Sequence, residues 1–300
     1  MSLQLQLYRF FFAGPPWVRR FQSRHAYQLM SRNLAAHVPE DPALRQSDPI
    51  VVASSFLNYG YQDLDSAAPK LTLEERHEPR RHSIQLYYHA VEGLDLSRSE
   101  VLEVGSGRGG GCAFLAEYLH AKSVTGVDLS DSSVAFSRLA APLPNLAFRA
   151  GDAEALPFPD GSFDVVINVE SSHCYGSMRT FVNEVVRVLR PGGVFSWVDA
   201  RFAEDAAGVD ALFAQCGLRL LQSRDISRNV LRALDDSHEA KIKTIEDHVP
   251  KVLQSLVRSA LAVRGTVAYN ALRDGTLVYL SRRFEKPGPG PGLASGGKVV

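Results

Sequence analysis

From Glu100 onward, short apolar runs alternate with amphipathic stretches. The runs VLEV (101–104), SVTGV (123–127), LAFR (146–149), FDVVINV (163–169) and GVFSWVD (193–199) have strand length. Between them, apolar positions recur at helical spacing near 109–120, 131–140 and 178–190. Such alternation predicts βαβ units and a parallel sheet. Leu189-Arg190-Pro191-Gly192-Gly193 predicts a sharp stop to the third of these helices, because a basic residue, Pro and Gly follow in turn. Two more strands are expected near 218–222 and 276–284. The 226–262 stretch between them is helical in pattern and too long for an ordinary connection, which predicts a lid or substrate cap.

Ahead of these units a helix is expected over 83–93. Residues 1–40 are rich in arginine and aromatics, and 41–80 are mixed, with an aromatic knot FLNYGYQD at 56–63. The expected organisation is an N-terminal helical and aromatic cap (1–80), a main α/β domain (81–285) and a Pro/Gly tail (286–300) expected to be disordered.

Composition narrows the class. Apolar residues at 45% and charged residues at 22% suit a soluble globular chain. Lys+Arg and Asp+Glu balance at 33 each, so no global field favours nucleic acid. The exception is the start: five arginines and no acid precede Glu40. With Trp17 and Phe10 to Phe12, that segment could rest peripherally on an anionic membrane, or pack as a cap over the site. No apolar run approaches the ~20 residues of a spanning helix. No secretory signal is read at the start, which lacks a leading basic region and a cleavage site. Cys112, Cys174 and Cys216 are odd in number and widely spaced, so neither a disulfide framework nor a metal site is expected, and a reducing, cytoplasmic setting is.

The candidate chemistry lies at the predicted strand ends. VLEVGSGRGGG (101–111) runs a strand through Gly105, Ser106 and Gly107 into a helix, offering bare backbone and a helix N-terminus to a polar ligand. The glycines also satisfy the dinucleotide pattern G-x-G-x-x-G. Three features turn the reading away from a dinucleotide. Glu103 sits inside the strand, where a carboxylate suits a cationic amino group and not a pyrophosphate. Asp128, followed by Leu129 in VTGVDLS, stands where a carboxylate takes both ribose hydroxyls. GDAEALPF (151–158), with Asp152 and Ala153, and VLRPGG (188–193) follow in order.

Together these motifs resemble the class I S-adenosylmethionine-dependent methyltransferases. The resemblance implies a Rossmann-like seven-stranded, mostly parallel sheet with helices on both faces. It implies that Gly105, Ser106 and Gly107 hold the methionine part, Asp128 the ribose, and Asp152 with the Ala153 backbone the adenine amino group. Beyond this core, HAYQLMSRNL (25–34), FLNYGYQD, HSIQLYYHAVEGLDLSRSEVLEVGSGRGGG, DVVINVESSHCY and LRDGTLVYLSRRFEK resemble a subgroup containing the mycobacterial phthiotriolone/phenolphthiotriolone dimycocerosate O-methyltransferases and related lipid and polyketide enzymes. Arg108 stands where that subgroup tends to carry His. The implied activity is methyl transfer to a hydroxyl of a hydrophobic small molecule; the acceptor and the oligomeric state stay open.

NVESSHCYGS (168–177) then reads as the segment bordering the reactive methyl. His173 is the expected base for the substrate hydroxyl, with Glu170 orienting it or holding a substrate group. Asn168 is expected beside the cofactor through its backbone, and Ser171, Ser172, Cys174 and Tyr175 to shape the pocket. Tyr59 and Tyr61 are expected to close over the cofactor and Gln85 to reach its carboxylate end. The competing readings are carbon methylation of an isoprenoid or sterol-like alkene, with Tyr59, Tyr61 and Glu170 stabilising a cation, a cofactor-binding regulator without catalysis, and a dehydrogenase.

Overall fold

The computed structural model describes residues 54–65 and 71–288 continuously, with residue 67 and a few scattered positions before 54. Most of the N-terminal segment expected to touch a membrane or cap the site, the 25–34 stretch and nearly all of the tail lie outside the described residues. The chain forms a seven-stranded sheet in the order β3-β2-β1-β4-β5-β7-β6. The strands are β1 (Glu100–Val104), β2 (Ser123–Asp128), β3 (Leu146–Ala150), β4 (Phe163–Val169), β5 (Leu189–Phe202), β6 (Arg219–Asp225) and β7 (Leu277–Glu285). Neighbours pair in parallel from β3 through β5, whereas β7 runs antiparallel to both β5 and β6.

Before the sheet, α1 spans Arg81–Val91. Crossovers are made by α2 (Gly110–Glu117), α3 (Asp131–Ala140), α4 (Met178–Val188) and α5 (Ala206–Gln215). Between β6 and β7 lie α6 (Ser227–Asp236), α7 (His238–His248), α8 (Lys251–Ala260) and α9 (Val267–Arg273), a helical insertion where the sequence predicts one.

Strand alternation sends the apolar side chains both ways. Val165, Ile167 and Val169 of β4 join the layer packed with α1, α2, α6 and α9, while Val166 joins the layer packed with α4 and α5. Helix α4 presents Phe181, Val182, Val185 and Val188, all fully buried, at the spacing of one helical stripe. Its Ser177 caps the N-terminus by accepting from the Thr180 amide at 3.2 Å. Helix α4 ends at Val188 as the Pro-Gly pattern predicts, but no loop follows. Leu189 already pairs with Phe163, and the register then jumps so that Val194 pairs with Val165, leaving 190–193 as a bulge within β5. Parallel pairing brings the C-terminal ends of β1, β2, β3 and β4 to one edge, which is where the functional side chains collect.

Candidate active site

A cavity opens at that edge. It is lined by the glycine turn (Gly105, Ser106, Gly107), by Asp128 and Leu129 after β2, by Asp152 and Ala153 after β3, and by Glu170 after β4. Eight of the residues expected from sequence therefore share one space.

The turn is shaped for contact with bare backbone. Gly105 has φ +73°, and a Cβ there would stand 2.4 Å from Ser171 Oγ. The Gly105 and Ser106 amides donate to Val127 O at 2.8 and 2.9 Å, and the Gly107 amide donates to Asp128 Oδ2 at 2.8 Å. Asp128 also accepts from the Ser130 amide at 2.9 Å, while Ser130 itself caps α3. Each Asp128 oxygen thus keeps acceptor capacity for a ligand hydroxyl. Burial raises the Asp128 carboxyl to about 6, against the two amide hydrogen bonds that lower it. The Ser106 hydroxyl is buried with no partner among the described residues, a second polar group suited to a ligand.

Glu103 lies one layer below the cavity wall. It is fully buried, accepts from Tyr87 OH at 2.6 Å and from Cys112 Sγ at 2.9 Å, and its carboxyl is raised to about 7 by burial. Tyr87, and not Glu103, forms the wall at this point.

Asn168, Tyr59 and Gln85 do not line the cavity. Asn168 is fully buried and ties strands together, donating to Val104 O, Ser171 Oγ and Tyr175 OH at 2.9, 2.7 and 3.0 Å. Tyr59 contributes its amide, which donates to Glu170 Oε1 at 2.7 Å, while its ring approaches Tyr279. Tyr61 stacks on His89 with ring centroids 4.5 Å apart. The part of the aromatic knot that reaches the cavity is one step earlier, Phe56, Leu57 and Asn58. Hydrophobic pattern alone could not choose among these neighbours. The choice follows from the pinning of Tyr61 N to His82 O and of Gln62 N to Asn229 O, which turns the later residues onto α1 and α6. The Gln85 amide is buried on α1, where it meets the His82 ring and not the cavity.

The segment after β4 is strained and crowded. Glu170 takes φ +47°, a conformation that costs a non-glycine residue on the order of 1–3 kcal/mol. Its amide donates to Val198 O at 2.8 Å and its carboxylate accepts from Tyr59, which hold it there. Burial raises the Glu170 carboxyl to about 7. His173 sits behind this wall, with Nδ1 donating to Asp199 Oδ1 at 2.7 Å and its amide donating to Oδ2 at 3.0 Å. Burial disfavours charge on the ring, but the Cys174 sulfur and the Asp199 carboxylate outweigh it and the imidazole lies well above its usual pKa. Asp199, inside β5 three residues before its end, is fully buried; its desolvation is outweighed by Arg201 and His173, so it stays ionised well below the usual range. Ser172 donates to Asp199 Oδ2 at 2.6 Å and accepts from Trp197 and Arg201. Asp199 was not singled out by sequence reasoning, although an acid following an apolar run is the same signal that marks Asp128.

A profile described as "Methyltransferase domain" matches residues 102–197. In the solved [4+2]-cyclase SpnF the same architecture recurs with a TM-score of 0.63 at 20% identity, over 89% of this chain and 98% of that one. This likeness establishes the fold and no chemistry. Sequence relatives go further. The chain is 39% identical over 88% of its length to the phthiotriol/phenolphthiotriol dimycocerosates methyltransferase of Mycobacterium tuberculosis, covering 91% of that protein. It is also 39% identical to the fatty-acid O-methyltransferase of Mycolicibacterium smegmatis, over 77% of this chain and 83% of that one. The protein belongs to the S-adenosylmethionine-dependent methyltransferase family that these enzymes share. The glycine cradle, the partnerless Ser106 hydroxyl and the spare acceptor capacity of Asp128 fit that cofactor.

Proposed function

We propose that this enzyme methylates an oxygen of a hydrophobic, lipid-like molecule. The observation that carries the reading is the juxtaposition, after β4, of a cavity-facing carboxyl, Glu170, with an imidazole fixed by a buried carboxylate, His173–Asp199. Relatives named for dimycocerosates and for fatty acids support a lipid acceptor.

Gly105, Ser106 and Gly107 would cradle the methionine part of the cofactor, Asp128 its ribose, and Asp152 with Ala153 its adenine. Glu103 would offset the cationic amino group from beneath, through Tyr87. S-adenosylmethionine, when bound, supplies a methyl group on a positively charged sulfur. The protein's own work is to align the acceptor oxygen and take its proton. Asp199 holds Nδ1–H of His173, and the ring also hydrogen-bonds the cavity-lining Cys174; Nε2 would receive the hydroxyl proton from that side. Glu170, on the wall, holds the acceptor hydroxyl. Methylation of an alkene carbon would also need a base, to take a proton from the resulting cation, so the preference for oxygen rests on the relative named as an O-methyltransferase. Three free cysteines fit a reducing, cytoplasmic setting, and no helix among the described residues is long and apolar enough to span a membrane.

The test is incubation with methyl-labelled S-adenosylmethionine and a panel of long-chain alcohols, hydroxylated lipids and isoprenoids. Label recovered as an ether or ester is expected. Label recovered only on carbon would replace this reading with the isoprenoid one.

A further inference from the structure

Helix α8 carries its apolar stripe outward. Val252, Leu253 and Leu256 recur at helical spacing, yet they are 87%, 46% and 69% exposed, and no residue of α8 is buried. The half-buried positions are Gln254, Val257 and Arg258, on the other side of the helix. Two polar side chains therefore face the protein. Arg258 pairs with Glu246 of α7 at 3.0 Å, and Gln254 donates to Val249 O at 3.0 Å. Helix α4 shows the opposite arrangement, with its apolar stripe fully buried. A clustered apolar face left in water marks a contact surface.

Charge indicates what meets it. The chain balances overall, but between Ser227 and Arg273 eight cations stand against five acids. Each of those acids already has a basic neighbour within the insertion. Asp235 pairs with Arg264, Asp236 with Arg232, Glu246 with Arg258 and Asp247 with Lys243, and Glu239 lies 3.9 Å from His238. No acid occurs from His248 to Arg273. Lys251, which opens α8, is exposed and forms no ion pair among the described residues. Three apolar side chains cover far less than the ~800 Å² per partner of a stable protein interface, which disfavours a second copy of the chain. A lipid surface makes no demand for shape complementarity: apolar side chains enter it and cations meet its anionic head groups. The insertion is also tied to the cavity wall. Gln62 N donates to Asn229 O of α6 and Asn229 Nδ2 donates to Gln62 O, four positions past the cavity-lining Asn58.

We propose that α8 is the element by which this protein rests on an anionic lipid bilayer. Val252, Leu253 and Leu256 enter the interface and Lys251 meets the head groups. The contact brings the insertion, and the cavity-lining knot bonded to it, to the surface where lipid-like molecules reside. It goes beyond the methyl-transfer reading.

The experiment is flotation of the full-length protein with vesicles of phosphatidylcholine and of an equal mixture of phosphatidylcholine and phosphatidylglycerol. Wild type is expected to float with the mixed vesicles and to be released by salt. Leu253→Gln/Leu256→Gln should weaken that partitioning by roughly 10-fold or more, the scale of two leucine side chains withdrawn from the interface. Lys251→Glu should weaken it by about 10-fold on mixed vesicles, where two units of charge are reversed, and leave phosphatidylcholine unchanged. The control Leu220→Gln/Leu221→Gln, on the exposed strand β6, should match wild type. The proposal is overturned if wild type does not float, if the α8 double variant floats as wild type does, or if the β6 control loses as much. A wild-type dimer that the α8 double variant converts to monomer would make the face a contact between copies and overturn it too. Flotation uses neither cofactor nor acceptor, so its failure leaves the methyltransferase reading intact.

Discussion

The proposed cofactor end and the proposed acceptor end of the cavity are built over very different distances along the chain. Gly105, Asp128 and Asp152 each end a consecutive strand, and they touch one another through short links such as Gly107 N to Asp128. The proposed acceptor end joins Tyr59 to Glu170 across 111 positions and draws Asp199 from β5 and Tyr279 from β7. The first end is a property of successive βα turns. The second exists only when remote elements arrive together. The difference teaches that one half of such a site is set by local turns and the other by long-range packing, so the second can be retuned without rebuilding the first.

The comparison breaks most visibly at His173. His173→Ala is expected to lower turnover by ~10²–10⁴ while cofactor affinity stays constant, because no cofactor-end residue leans on the ring. Asp199→Asn should reproduce most of that loss. Since the ring's pKa is raised in the folded enzyme, it is protonated at neutral pH, and kcat/KM should climb as pH rises through that value. That limb should survive Glu170→Gln and vanish in His173→Ala. Retention of the limb in the alanine variant would remove His173 from the role.

Glu103 offers an effect of intermediate size and tests the cofactor end for stored instability. Its folded pKa is raised to about 7 from an ordinary 4.5. The stabilisation is therefore present below about pH 4.5, where both states hold the proton, and is lost as pH rises through 7. In the cofactor-free protein above pH 7 the cost is about 3 kcal/mol. Glu103→Gln keeps an acceptor for Tyr87, so its Tm should exceed wild type at pH 8 and match it near pH 4.5, while its cofactor affinity falls. A Tm difference independent of pH would show that Glu103 does not ionise in a dry environment.

The smallest effect is expected at Asp128. Asp128→Ala removes the proposed ribose acceptor and should weaken cofactor binding by ~1–3 kcal/mol, read by calorimetry. Acceptor binding measured separately should not change. A parallel loss of both would mean the two ends are coupled and the contrast between them is false.

By itself the sequence determined the sheet, the insertion and the glycine turn and strand-end acids that line the cavity of this protein. Apolar period, glycine position and an acid at a strand tip are local quantities, and a buried strand followed by a helix has few ways to present them. That reach explains why Gly105, Asp128 and Asp152 were legible, and why Phe56 could not be told from Tyr59 within one aromatic knot. It also explains why β5 ran through Pro191-Gly192-Gly193 unseen: the bulge is made by pairing with β4 and by the Gly192 amide donating to Lys286 O, not by the residues alone. Tertiary structure decided the rest. Asn168 became a tie between strands, and Asp199 the partner of His173. Each outcome depends on which groups lose water together when remote segments close, and the energy of a buried polar group is set by that shared environment and not by its place along the chain.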